Sequence, residues 1–141
     1  HSTSLPLASN TVTLDDTLKD RWGRSALCCT YKDHPDDIAT AKFFQDRSVE
    51  LLEAAGAKKI NRTPVVEQES NVHLLGTCRM GDDPENSVVD RYNRSHDVSN
   101  LFMCDGSSLV TSGRGQPTMT IMALAFRTAD YMIQASKRNE I

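Results

Sequence analysis

The junction where Ser112-Gly-Arg-Gly-Gln116 meets Pro117-Thr-Met-Thr-Ile121 leaves the backbone few choices. Two glycines in five residues favour a turn, and Pro117 fits the first helical position, where a missing N–H costs nothing and its fixed φ suits the helix. Behind it Ile121, Leu124, Ala125, Thr128 and Met132 recur at helical spacing, which predicts one buried face. A helix that starts after such a turn presents unpaired N–H groups and a partial positive charge, a ready site for a phosphate or a developing anion. The plainer reading of the same residues is an ordinary loop-to-helix cap.

At 141 residues the chain suits one domain with a real core and is short for two. A net charge of −3 with mixed signs, and no Lys/Arg-rich run, speaks against a nucleic-acid partner. No apolar stretch reaches membrane-spanning length. The start at His1 is what a processed product or an excised piece would give. The four cysteines are Cys28, Cys29, Cys78 and Cys104; an adjacent pair makes a poor disulfide framework, so free and mostly buried thiols are expected. Asn61-Arg-Thr63 and Asn93-Arg-Ser95 match the glycosylation acceptor pattern, a common chance occurrence.

Thr11-Val-Thr-Leu14 alternates polar and apolar and predicts a strand edge, Asp15-Asp-Thr17 a turn, and Ala26 to Tyr31 a second strand. His34-Pro35-Asp36-Asp37 is a helix start, with proline early and acids where the macrodipole favours them. Ile38, Ala41, Phe44, Ser48, Leu51, Leu52 and Ala55 form a stripe, read as core packing, and Gly56 stands where a left-handed C-terminal cap belongs. The helix is therefore expected over roughly residues 35–55. Val65-Val66 is a short strand candidate, Gly81-Asp-Asp-Pro84 is turn chemistry, and His34 and His96 are read as structural.

Three blocks then follow in order: His73-Leu-Leu-Gly76-Thr77-Cys78-Arg79-Met80, Asp105-Gly106-Ser107 after the apolar run Leu101 to Cys104, and Gln116-Pro117-Thr118-Met119-Thr120-Ile121 through Arg127 and Asp130. Together they resemble the C-terminal signature of the glucose–methanol–choline (GMC) flavoprotein oxidoreductases. Asn10 to Asp15 and Lys19 to Gly23 are similar, more weakly, to a segment of that family's substrate-side sheet. The resemblance implies an FAD enzyme that oxidises an alcohol or sugar CH–OH, with His73 as the base that takes the hydroxyl proton. The second side chain at the substrate hydroxyl, His or Asn in most members, is Gln116 here; an amide can orient an oxygen but cannot act as a base. Asp105 and Gly106 are implied at the ribityl–diphosphate part of the cofactor, and the backbone of Pro117 and Thr118 at the flavin's pyrimidine edge. No strand followed by G-x-G-x-x-G is present, so the dinucleotide-binding half of such a protein is missing.

The expected fold class is α+β: a mostly antiparallel substrate-domain sheet with flanking helices, plus a C-terminal strand and helix that would belong to the FAD-binding domain of the full protein. Residues 1–100 would form the substrate-side portion with the catalytic His, and residues 101–141 the part that returns to the FAD-binding domain. The implied partners are a small-molecule alcohol or sugar and the N-terminal FAD-binding portion of the same parent chain. Apolar surface left open on the last helix would promote self-association. Other readings are a non-catalytic domain of the same fold, an FAD-containing lyase of the same family, and a metal site from His73 and Cys78, which lacks further ligands at suitable spacing.

Overall fold

The computed structural model describes residues 4–67, 73–113 and 115–141. The chain is α+β, with a two-stranded antiparallel sheet and two long helices. It separates into two compact units, residues 1–71 and 72–141.

In the first unit β1 (Val12–Lys19) pairs with β2 (Ser25–Cys29), matching Val12 with Cys29, Thr13 with Cys28 and Leu14 with Leu27. The ladder then breaks before resuming at Lys19 and Ser25. Asp15 is the cause: its carboxylate accepts the amides of Thr17 at 2.8 Å and Leu18 at 2.7 Å. The turn expected at Asp15-Asp-Thr17 is thus a break inside one strand. The chain reverses later, where Asp20 accepts from Trp22 N and Arg24 N and Gly23 takes φ +80°. Those amide bonds hold the Asp15 and Asp20 carboxyls below the usual carboxylate range, led by Leu18 and Arg24 respectively.

Helix α1 (Pro35–Ala54) follows the expected start. His34 Nδ1 accepts the Asp36 amide at 3.1 Å, and the Leu5 amide donates to Asp37 Oδ2 at 2.9 Å. At the other end Gly56, at φ +81°, donates to Glu53 O while Ala57 donates to Leu52 O. These are the paired bonds of a left-handed helix cap. The expected core role of the stripe is not met. No residue of α1 is buried, and Phe44 and Leu51 are 51% and 70% exposed, because no element of this unit packs over them. Val65-Val66 is not a strand.

The second unit is built on irregular backbone, a 3₁₀ turn (Gly106–Ser108) and α2 (Thr118–Lys137). Among the described residues, the short strands expected over residues 60–100 and the one expected from Leu101 reduce to isolated bridges, Met80 with Val89, Val89 with Ser95, and Arg94 with Phe102. Asp90 explains this: it accepts the amides of Tyr92 and Arg94 and turns the chain before a ladder can extend. The core gathers Val89, Asn93, Thr128 and Ala135, with Tyr92 stacked on Tyr131 at 4.2 Å between ring centres. The buried face of α2 runs through Ile121, Leu124, Thr128, Tyr131 and Ala135, whereas Met132 is 38% exposed and lies off it. Among the described residues no helix is long and apolar enough to cross a membrane. The cysteines are free as expected but not buried: Cys28, Cys29 and Cys104 are exposed and Cys78 is half-buried. His96 is held in the turn region, its Nε2 2.9 Å from Ser87 Oγ and 3.2 Å from Gly81 O.

Candidate functional site

The three sequence blocks meet in the second unit. The Cys78 amide donates to Ser107 O at 3.0 Å and the Met80 amide to Ser108 O at 2.9 Å, so the His73 block lies along the Asp105–Ser108 turn. Asp105 shapes that turn: its carboxylate accepts the Ser107 amide at 2.8 Å and the Ser107 hydroxyl. These bonds, the hydroxyl first, hold the Asp105 carboxyl below its usual range, so it is a carboxylate at neutral pH.

The third block joins at Gly106. Gly106 lies under two side chains: a Cβ added to it would fall 2.6 Å from Leu75 Cδ2 and 3.2 Å from Ile121 Cδ1. Leu75 belongs to the His73 block and Ile121 to the first turn of α2, so one glycine touches both neighbours. Gly76 follows at φ +86° against the backbone of Leu109 and Val110. There a side chain would be strained.

His73 itself is exposed and sits at φ +61°, a left-handed conformation uncommon for a non-glycine residue. Such conformations persist where the surroundings over-determine them. Gln116 is also exposed, and among the described residues no hydrogen bond joins it to His73. The backbones of the blocks are brought together; the two side chains are not paired.

The α2 start is open. Pro117 is its N-cap, makes no side-chain capping bond, and no acid stands in the first turn. The first helical bond runs from the Ile121 amide to Pro117 O at 2.9 Å. The amides of Thr118, Met119 and Thr120 precede it, so they lie outside the helical ladder. Pro117 has no N–H to give, which makes Thr118 the first donor of the pair expected there. Uncapped amides with no acid in their own helical turn suit negative charge on a bound group. Among the described residues no group of three His, Cys, Asp or Glu could hold a metal ion.

Sequence reasoning missed two features. One is the Leu75–Gly106–Ile121 contact. The other is the bond from Asn93 Nδ2 to Thr128 Oγ1 at 3.0 Å, which ties α2 to the 89–95 segment. A threonine in mid-helix on the apolar face is the one signal that pointed to the second.

A family model described as GMC oxidoreductase matches residues 6–125. The chain is 46% identical over 91% of its length to a 2-methyl-1,2-propanediol dehydrogenase of Mycolicibacterium austroafricanum, covering 23% of that protein. It is 37% identical over 88% of its length to a 6'''-hydroxyparomomycin C oxidase of Streptomyces lividus, covering 22% of it. A fructose dehydrogenase large subunit of Gluconobacter japonicus is 34% identical over 95% of the chain, which covers 24% of that subunit. The chain thus spans about a quarter of the length of these relatives. With its three motif blocks folded against one another and the family model matched along most of its length, the chain belongs to the GMC oxidoreductase family, as a C-terminal domain.

Proposed function

We propose that this chain is the substrate-side and catalytic part of an FAD-dependent oxidoreductase that oxidises the CH–OH group of an alcohol or sugar. The observation that carries the reading is the meeting of the His73 block, the Asp105–Ser108 turn and the open start of α2 in one unit. The relatives' names support the substrate class, since they denote a 2-methyl-1,2-propanediol dehydrogenase, a fructose dehydrogenase and a 6'''-hydroxyparomomycin C oxidase.

In this reading His73 accepts the substrate's hydroxyl proton at an imidazole nitrogen, and Gln116 holds the same oxygen through its amide. The amide of Thr118, after Pro117, would donate toward negative charge on the cofactor, and Asp105 and Gly106 would line its ribityl–diphosphate side. Bound FAD would supply the hydride acceptor. Residues 1–100 serve the substrate side, and residues 101–141 return to the FAD-binding domain contributed by the rest of the parent chain.

The test uses the intact parent protein, purified as expressed. Its visible spectrum is recorded, then 2-methyl-1,2-propanediol, fructose and an aminoglycoside alcohol are added without oxygen. A flavin band that bleaches, and does so roughly 10²–10⁴-fold more slowly after His73→Ala, supports the reading. A colourless protein that takes up no FAD sinks it in favour of a non-catalytic domain. Because Gln116 stands where the family has a His or Asn, bound flavin that no alcohol reduces points to the lyase chemistry instead.

A further inference from the structure

Glycine in a cofactor-binding turn is usually explained by close approach of the cofactor. At Gly106 the space is taken from within the chain. The missing Cβ position lies 2.6 Å from Leu75 Cδ2, closer than a real Cβ stands, and 3.2 Å from Ile121 Cδ1, a tight contact. Both atoms are ends of side chains, so a methyl group there would have to displace Leu75 and press on Ile121.

Leu75 matters for what it carries. In the tetrapeptide His73–Gly76 the imidazole is exposed, Leu74 is 54% exposed, and Gly76 has no side chain. Half-buried Leu75 is the one side chain of the four that anchors the loop. The backbone on either side is in the left-handed region, at φ +61° for His73 and +86° for Gly76, and Gly76 lies against the backbone of Leu109 and Val110, so Leu75 is the side-chain anchor beside a backbone one. Ile121, the other side chain at the seat, is the residue whose amide makes the first helical bond of α2. Where Leu75 sits therefore sets where His73 stands relative to the α2 start.

We propose that Gly106 is a positioning residue: its empty Cβ position is the seat of Leu75, and through Leu75 it fixes the base His73 against the first turn of α2. The backbone of Gly106 remains free to face the cofactor; it is the absent side chain that Leu75 accounts for. The inference rests on the catalytic reading above for the role of His73, and on geometry alone for the seat.

The experiment compares four forms of the intact parent protein: wild type, Gly106→Ala, Leu75→Val and the double variant. Flavin content, thermal midpoint and the anaerobic rate of flavin reduction against pH are measured, with the fastest-reducing compound of the panel. Gly106→Ala is expected to keep the same half-saturating substrate concentration in the fraction that holds flavin. Its reduction rate should fall roughly tenfold to a hundredfold, as for a base displaced by about an ångström. Leu75→Val in the same chain should recover most of that rate and part of the lost thermal midpoint. Additive effects of the two substitutions, or no effect of Gly106→Ala, overturn the seat. Loss of flavin in Gly106→Ala that Leu75→Val fails to restore overturns it in favour of cofactor approach. Should Gly106→Ala not fold, recovery of the double variant supports the seat and failure of both overturns it. A wild type whose flavin no compound reduces sinks the catalytic reading instead, and the thermal midpoints then decide the seat by themselves.

Discussion

Replacing Thr128 by Val removes one oxygen from a position only 1% exposed, and nearly nothing in volume. That oxygen accepts from Asn93 Nδ2 at 3.0 Å and stands 3.0 Å from both Tyr92 O and Leu124 O, to which it can donate. Asn93 is itself 1% exposed, and its Oδ1 has no hydrogen-bond partner. After the substitution both ends of the Asn93 amide are buried and unpaired. An unsatisfied buried donor costs about 1–3 kcal/mol, and the added methyl offsets under 1 kcal/mol of it. A net loss of about 2 kcal/mol corresponds to roughly thirtyfold more frequent opening of the region. Native-state hydrogen exchange of the intact protein reads this locally. The amides of α2 around residues 124–132 should exchange roughly ten- to thirtyfold faster, and those of α1 should be unchanged. Thr128→Ser keeps the oxygen and should lose only about 1 kcal/mol for the methyl. Exchange in Thr128→Val as slow as in the wild type would refute the reasoning, because the Asn93 amide must then find other partners.

Three further outcomes are expected. Asp105 has a carboxyl pKa lowered by folding, so its contribution to stability is complete above the unfolded carboxylate value and is lost as pH falls through the folded one. The Ser107 amide resonance should therefore shift only in acid below the normal Asp range, and Asp105→Asn should abolish that shift. Gly76→Ala forces a side chain to φ +86° and should cost about 1–2 kcal/mol, read as a lowered thermal midpoint. Of the two acceptor patterns, Asn61 is exposed and Asn93 is buried; mass spectrometry after expression through a eukaryotic secretory pathway should find glycan on Asn61 and none on Asn93.

Helix α1 was legible because its signals agree: a proline and acids at one end, a glycine at the other, and a continuous stripe between. What the stripe cannot say is what covers it, and Phe44 and Leu51 are open in this chain. The turn at Asp15 was misread because an aspartate that caps the two following amides looks the same in sequence whether the chain reverses or only kinks. That the three blocks belong together was legible through motif order, since the His73 block, the Asp105 turn and the Pro117 helix start follow the pattern the family resemblance gives. The fit between Leu75, Gly106 and Ile121 was not, because steric complementarity between residues far apart in sequence leaves no local pattern. Nor was the left-handed backbone of His73, which no neighbouring residue type announces.

The kink at Asp15 also bears on how the chain behaves in company. In a two-stranded sheet both strands are edges, and β1 and β2 carry exposed Val12, Leu14, Leu18 and Leu27. A flat eight-residue edge of that kind is a template on which identical chains can stack into fibrils. Asp15 turns two amides of β1 inward to its own carboxylate, and Asp16 adds a second negative charge at the same point. An incoming strand would thus meet a ladder interrupted at its centre beside two carboxylates, a feature that disfavours strand addition at that point.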